Sequence, residues 1–299
     1  MTDLAPLTKA WYLLPLPAFT LRPTAVKLHG RRLVLWPTSA GWAAADAHCP
    51  HAGASLHAAE LSDGCITCPF HGWQFDATGA VVNREQAQKL RIWSTRPHDH
   101  GIWVWSEPGG NPLWDPPAVA HLGSDWQLCG EFKVELCASL GEIFENIVDV
   151  EHFPPVHRTS GTPEVASLLS EGPRLVVESY HRSPASPRQR SRVKLSAYGP
   201  GMTIVEFGEP AWLRVVSFHT PIEPRRTSVR WEAYVRAPAA RRQRVAAGAA
   251  FFNRILVKEL MEDEQIWAHR DPSIDLRCSD DMTAVRYWLA GFREEARGS

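Results

Sequence analysis

Beyond residue 130 the chain alternates: Glu131, Lys133 and Glu135 interleave with Phe132, Val134 and Leu136, the period of two that a half-buried strand requires. Runs at 174–179, 193–198, 202–207, 212–218 and 227–236 are further strand candidates, separated by Pro, Gly or Ser, and together they predict an antiparallel sheet. Between 181 and 192 the composition turns to Arg, Pro and Ser, and this stretch reads as an exposed loop. The pattern then changes period. Residues 239–270 form a long, largely Pro-free run of good helix formers, on which Phe252, Leu256, Asp263 and Ile266 fall near one face. Asp263 therefore sits on an apolar stripe, where an unpartnered carboxylate is costly.

The first third is built differently. Short strand-like runs such as Leu33-Val34-Leu35-Trp36 flank loops containing Pro and Gly, and Asp63-Gly64 and the stretch from Asp76 to Gly79 read as turns. Pro108, Gly109, Gly110, Pro112, Pro116 and Pro117 forbid a continuous helix or central strand between 106 and 118. This stretch reads as a linker and divides the chain into domains at 1–115 and 116–299.

Composition narrows the classes. With 299 residues there is room for a second sizeable core. A net charge of −1 and a pI near 6.9 argue against a nucleic-acid partner. No apolar run approaches a membrane span, the segment holding Asp3, Pro6 and Lys9 lacks a signal-peptide pattern, and the 6 Cys do not suggest a secreted disulfide framework. A cytoplasmic protein is expected.

Two motifs carry chemistry. Cys49-Pro50-His51 is followed after sixteen residues by Cys68-Pro69-Phe70-His71. Two thiolates on one iron and two imidazoles on the other make a Rieske-type 2Fe-2S cluster, poised at roughly −150 to +300 mV against about −400 mV for plant-type ferredoxins. A zinc site draws on the same residue types, but pairs Cys with Cys and His with His at short spacing, whereas here each half supplies one of each. Cys65 completes a C-x-x-C with Cys68 and is read as a bystander.

The second motif runs from Asn146 through Asp149 and His152 to His157. Helix-compatible composition through His152 sets positions 146, 149 and 152 along one face, and Pro154 and Pro155 then end the helix, letting His157 turn back toward His152. Two imidazoles and one carboxylate on one face of an iron form the facial triad of non-haem Fe(II) oxygenases. Asp263 is the strongest carboxylate candidate, with Glu259 and Glu262 as rivals.

The segment from Trp11 to about Trp105, including C-P-F-H-G-W-x-F-D from Cys68 to Asp76, resembles the Rieske domain of oxygenase alpha subunits. N-x-x-D-x-x-H-x4-H at Asn146, Asp149, His152 and His157 resembles the catalytic signature of the Rieske non-haem iron oxygenases. Asp263 to Arg270, with Arg286-Tyr287-Trp288, is similar to the 3-ketosteroid 9α-hydroxylase and cholesterol 7-desaturase branch. The resemblance implies an α+β chain, with a small all-β Rieske domain ahead of a helix-grip catalytic domain. It implies a 2Fe-2S cluster on Cys49, His51, Cys68 and His71, and a mononuclear iron on His152, His157 and Asp263. Asn146 would stand near the open face, and Asp149 would link His152 to His71 of a neighbouring subunit in a head-to-tail homotrimer.

The expected activity is oxidation by O2, foremost hydroxylation, of a C–H bond in a small apolar substrate, either ring-containing or a natural product. Desaturation and O- or N-demethylation are alternatives on the same scaffold, and a non-catalytic Rieske electron-transfer protein is the alternative of another class. The chain carries no flavin or nicotinamide fingerprint, so NAD(P)H would act only through a separate reductase or ferredoxin. Arg188, Arg190, Arg192, Arg241, Arg242 and Arg244 are candidates to dock an acidic partner, with a solvated surface as the competing reading.

Overall fold

The computed structural model of the chain describes residues 6–16, 22–85, 88–107, 109–117, 126–183, 186–209, 211–236, 242–271, 273–274 and 278–293. It divides into two compact units, Leu7–Pro116 and Pro117–Arg293.

The first unit is built from small antiparallel sheets. β2 (Thr24–Leu28), β3 (Arg31–Thr38), β4 (Gly41–Asp46) and β8 (Ile92–Trp93) form one. β5 (Glu60–Ser62), β6 (Cys65–Thr67) and β7 (Gln74–Phe75) form a second, and β1 (Trp11–Pro15), β10 (Gly101–Trp105) and β9 (Thr95–His98) a third. Asp63 and Gly64 turn β5 into β6, as the sequence predicts, and both have positive φ. Val34, Trp36, Ala45, Leu56, Ile66 and Phe75 make an apolar core that also takes in Cys49 and Cys68.

The second unit is a seven-stranded antiparallel sheet in the order β11-β17-β16-β15-β14-β13-β12, with helices packed on it. Its strands are β11 (Trp126–Leu136), β12 (Glu164–Glu171), β13 (Arg174–Ser183), β14 (Ser186–Tyr198), β15 (Met202–Phe207), β16 (Leu213–Glu223) and β17 (Arg226–Arg236). The Arg- and Ser-rich stretch expected to be a loop is instead the end of a hairpin. His181 pairs with Ser191 and Arg182 with Arg190, so β13 and β14 run almost to their turn. The charges that gave it a solvated look meet partners on the sheet: Arg190 pairs with Glu164, and Arg192 with Glu178 and Glu209. Arg190 and Arg192 are thus engaged within this chain, whereas the side chains of Arg188, Arg241, Arg242 and Arg244 lie outside the described residues.

The long helix α3 (Arg242–His269) packs on β11 and β17, burying Ala249 and Trp267 against Val229, Trp231 and Val235. Two details fix its approach. Trp231 Nε1 donates to Asn253 Oδ1 at 2.9 Å, and a Cβ on Gly130, at the bulge of β11, would stand 2.6 Å from Asn253 Nδ2. The apolar stripe also differs at one position from the expected one. Ile266 is exposed, and Trp267, one residue on, is the buried residue.

Candidate metal and cluster centres

The cluster motif lies on two loops of matched build. In the first, Cys49 N–H donates to the Ala54 carbonyl at 2.8 Å and Gly53 N–H to that of Cys49 at 2.8 Å. In the second, Cys68 N–H donates to the Trp73 carbonyl at 2.8 Å and Gly72 N–H to that of Cys68 at 3.0 Å. Gly53 and Gly72 hold φ of 73° and 68°, the left-handed conformation that lets each loop close. Both thiols are buried and both imidazoles exposed, with the His51 and His71 ring centroids 4.7 Å apart. Burial, with Cys68 nearby, pushes the Cys49 thiol above its ordinary range, a cost that a bound iron would offset by taking the thiolate. Thiols in an apolar core and imidazoles at the surface are the donor set that a Rieske cluster needs.

Trp73, which the sequence places with Phe75 beneath the second loop, and two residues it did not single out support these loops. Trp73 stacks on His51 at 4.4 Å with an interplanar angle of 8°. Arg84 donates to the His71 carbonyl at 2.9 Å and Asn83 to that of Gly72 at 2.7 Å. Flat stacking depends on where two loops meet, and no spacing rule announces it.

The second motif is assembled from a broken helix. α1 (Leu140–Asn146) opens with a capping box, Ser139 with Glu142, and stops at Asn146 instead of continuing through His152. A continuous helix would drive the Pro154 ring into the Val150 carbonyl, and the β-branched Ile147, Val148 and Val150 favour helix weakly. A 3-10 turn (Val150–His152) follows, and the prolines then sit in the first turn of α2 (Phe153–His157), where no amide proton is needed. They start a helix where they were expected to end one. The helix α4 (Asp280–Ala290) braces α1, with Arg286 gripping Glu145 at 2.8 and 3.0 Å and Trp288 packing on Phe144.

This break brings His152 and His157 to opposite ends of one short helix with their Nε2 atoms 3.1 Å apart. Asp263 Oδ1, from α3, stands 3.2 Å from His157 Nε2 and 3.6 Å from His152 Nε2. Two imidazole lone pairs and a carboxylate oxygen converge within 4.8 Å, a donor set that fits one iron. Burial holds His152 below the ordinary histidine range and pushes Asp263 up to about 6, against the pull of His157 and Asn146. Asn146 Nδ2 donates to Asp263 Oδ2 at 2.9 Å, so it orients the carboxylate and leaves Oδ1 for the converging donors. Asp149 Oδ2 lies 3.9 Å from His152 Nδ1 and is half-exposed. Of the rival carboxylates, Glu262 approaches the other nitrogen of His157, and neither it nor Glu259 joins the convergent group.

Residues 103–292 match the 3-ketosteroid 9α-hydroxylase C-terminal domain, and residues 16–94 the Rieske [2Fe-2S] domain. The oxygenase component of 3-ketosteroid-9-alpha-monooxygenase from Rhodococcus rhodochrous is 26% identical over 302 residues, covering 91% of this chain and 76% of that protein. Cholesterol 7-desaturase from Bombyx mori is 37% identical over 126 residues, 38% of this chain and 27% of that one. Among solved structures, the NdmA QL mutant of Pseudomonas putida CBB5 with caffeine superposes with a TM-score of 0.73 at 16% identity, covering 98% of each chain. Dicamba monooxygenase bound to dicamba gives 0.65 at 18% identity, covering 96% of this chain and 98% of that one.

Fold and sites together define a Rieske oxygenase, an oxidoreductase with a 2Fe-2S cluster and a mononuclear non-haem iron. The chain belongs to the Rieske oxygenase family that carries the 3-ketosteroid 9α-hydroxylase C-terminal domain. It works on an organic substrate with a separate reductase or ferredoxin, and no helix among the described residues is long and apolar enough to cross a membrane.

Proposed function

We propose that Cys49, His51, Cys68 and His71 hold the cluster, that His152, His157 and Asp263 hold the iron, and that the enzyme hydroxylates a ring carbon of a fused-ring ketone such as a 3-ketosteroid. The single observation carrying this reading is the convergence of the His152, His157 and Asp263 donor atoms. When bound, the two groups supply single electrons and the O2-dependent oxidation of a C–H bond. The chain's own residues supply position. Asn146 holds the Asp263 carboxylate, and Asp149 stands on the outer side of His152. In a head-to-tail homotrimer, the exposed His71 would hydrogen-bond to Asp149 of the next subunit, which would link it to His152 and so provide a path for electrons to the iron.

The sheet supports a mostly apolar substrate with one neutral oxygen function. Val177 and Leu195 share one face of β13 and β14 with Val193, while Val205 and Phe207 on the same face of β15 pack into the core under α3. Ser179 and His181 interrupt that face, Ser179 Oγ 3.0 Å from His181 Nε2. Burial lowers His181 to about 4, so the ring is neutral at pH 7. Its ring lies 5.4 Å from Phe153, which itself packs on His152 and His157 at 4.6 and 5.3 Å. A neutral donor–acceptor pair separated from the metal donors by the Phe153 ring suits a keto or hydroxyl group better than a carboxylate.

Anaerobically prepared protein is expected to contain about three irons per two acid-labile sulfides. A ratio near two to two would refute the iron site. Supplied with a reductase and ferredoxin, the protein should consume O2 with a 3-ketosteroid and give a product heavier by one oxygen. A product lighter by two hydrogens would instead make it a desaturase.

A further inference from the structure

The sequence offered Glu262 as a rival iron ligand, yet the fold gives it a different set of neighbours. Its Oε2 lies 3.2 Å from His157 Nδ1, the nitrogen facing away from the converging donors. Its Oε1 accepts from Lys258 Nζ at 2.8 Å and from Arg158 Nη1 at 3.0 Å. One carboxylate therefore meets one imidazole and two cations, drawn from two segments 105 residues apart in the chain.

Three details separate this arrangement from an ordinary surface ion pair. Lys258 precedes Glu262 by four residues, the less favourable order for a pair on a helix, so local helix stabilisation is a poor account of it. Arg158 caps α2 in the left-handed conformation, with φ 57° and ψ 37°, which a non-glycine residue adopts only when its surroundings hold it. There its amide donates to the Phe153 carbonyl while its side chain reaches Glu262. The two cations are exposed, whereas the His157 side chain is 2% exposed, so Glu262 links a solvated edge to the buried donor set.

We infer that Glu262 is a positioning residue: it fixes the proton of His157 on Nδ1, leaves the Nε2 lone pair for the metal, and staples the histidine-bearing turn to the aspartate-bearing helix. This rests on reading His152, His157 and Asp263 as the iron site. A carboxylate behind a metal-bound imidazole sets its tautomer and raises its basicity, and loss of such a partner typically weakens metal binding roughly 10–100-fold. Lys258 and Arg158 act by holding the carboxylate in place. The donors are then ordered before any metal arrives.

The test is anaerobic titration of cluster-loaded protein, stripped of its mononuclear metal, with Fe(II) alone. Glu262→Gln should keep the cluster spectrum and melting temperature, bind Fe(II) roughly 10–100-fold more weakly, and change the rhombicity of the EPR signal after nitric oxide is added. Lys258→Met with Arg158→Gln, both at exposed positions, should weaken binding by a smaller factor in the same direction, and decides the matter if Glu262→Gln does not fold. Fe(II) affinity within about twofold of wild type in Glu262→Gln, with an unchanged EPR signal, overturns the inference while leaving the iron site standing. If His152→Ala also keeps wild-type affinity, the iron site itself is misassigned and Glu262 falls with it.

Discussion

Asn146 and Asp263 are separated by 117 positions in the chain, yet the amide of one donates to the carboxylate of the other at 2.9 Å. The bond occupies Oδ2 and turns Oδ1 toward the two imidazoles. Asn146→Ala should therefore free the carboxylate to rotate and lower Fe(II) affinity roughly tenfold, with the cluster spectrum unchanged. Iron analysis after dialysis against a weak chelator reads this directly, and full retention of iron would show that Asp263 is held by other means.

Trp73 covers one face of His51 with its ring nearly parallel. A cluster with two Cys and two His gains a negative charge on reduction, so admitting water to this face favours the reduced form. Trp73→Leu should raise the cluster midpoint potential while leaving the mononuclear iron content alone. Redox titration followed by visible absorption checks it, and a lowered potential would contradict the argument.

Glu142 is fully buried at its side chain and meets Arg225 at 3.1 Å and Arg270 at 3.6 Å. Arg225 also donates to the Trp267 carbonyl at 2.7 Å, so it ties α1 to the end of α3. Removing one partner leaves a buried charge short of compensation, at a cost of roughly 3 kcal/mol. Arg225→Ala should lower the melting temperature by several degrees and cost mononuclear iron, because α1 carries Asn146 and α3 carries Asp263. Thermal denaturation followed by circular dichroism measures the first effect.

His219 is fully buried beside Phe144, and burial lowers it to about 4 from an ordinary value of 6.5. Between those values the unfolded chain binds a proton that the folded one does not, so stability rises with pH through the window and is fully present above 6.5. The group's contribution is about 3 kcal/mol at most. His219→Phe should flatten the dependence of urea unfolding on pH between 4 and 6.5, and an unchanged slope would point to other groups.

Both chemical motifs were legible because their residue types and spacings are tied to local chain geometry. Cys49, His51, Cys68 and His71 lie on loops whose closure depends on nearby Gly53 and Gly72, and the alternation in 131–136 became β11. Readings that depended on distant partners fared differently. The Arg-rich stretch at 181–192 was read as an exposed loop, and Arg182, Arg190 and Ser191 are exposed, but the backbone pairs as a hairpin because its partner strand lies alongside. Ile266 looked buried until the roll of α3 on the sheet turned Trp267 inward instead. Pro154 and Pro155 were read as ending a helix and instead begin one, because a proline that is excluded from a helix interior suits a first turn, and the sequence does not choose between the two.

The sequence by itself determined the inventory: two thiols and two imidazoles at cluster spacing, two further histidines beside an Asn and an Asp, and a helix carrying an acidic residue on its apolar stripe. Spacing along a chain constrains neighbours within a turn or a loop, and those relationships are short-range. Only the tertiary structure decided what each acidic residue on α3 meets, because that depends on the rotation of a helix against a segment more than a hundred residues away. One turn's neighbours, Glu262 and Asp263, thereby part company: Asp263 faces the two Nε2 atoms, and Glu262 faces the Nδ1 behind one of them.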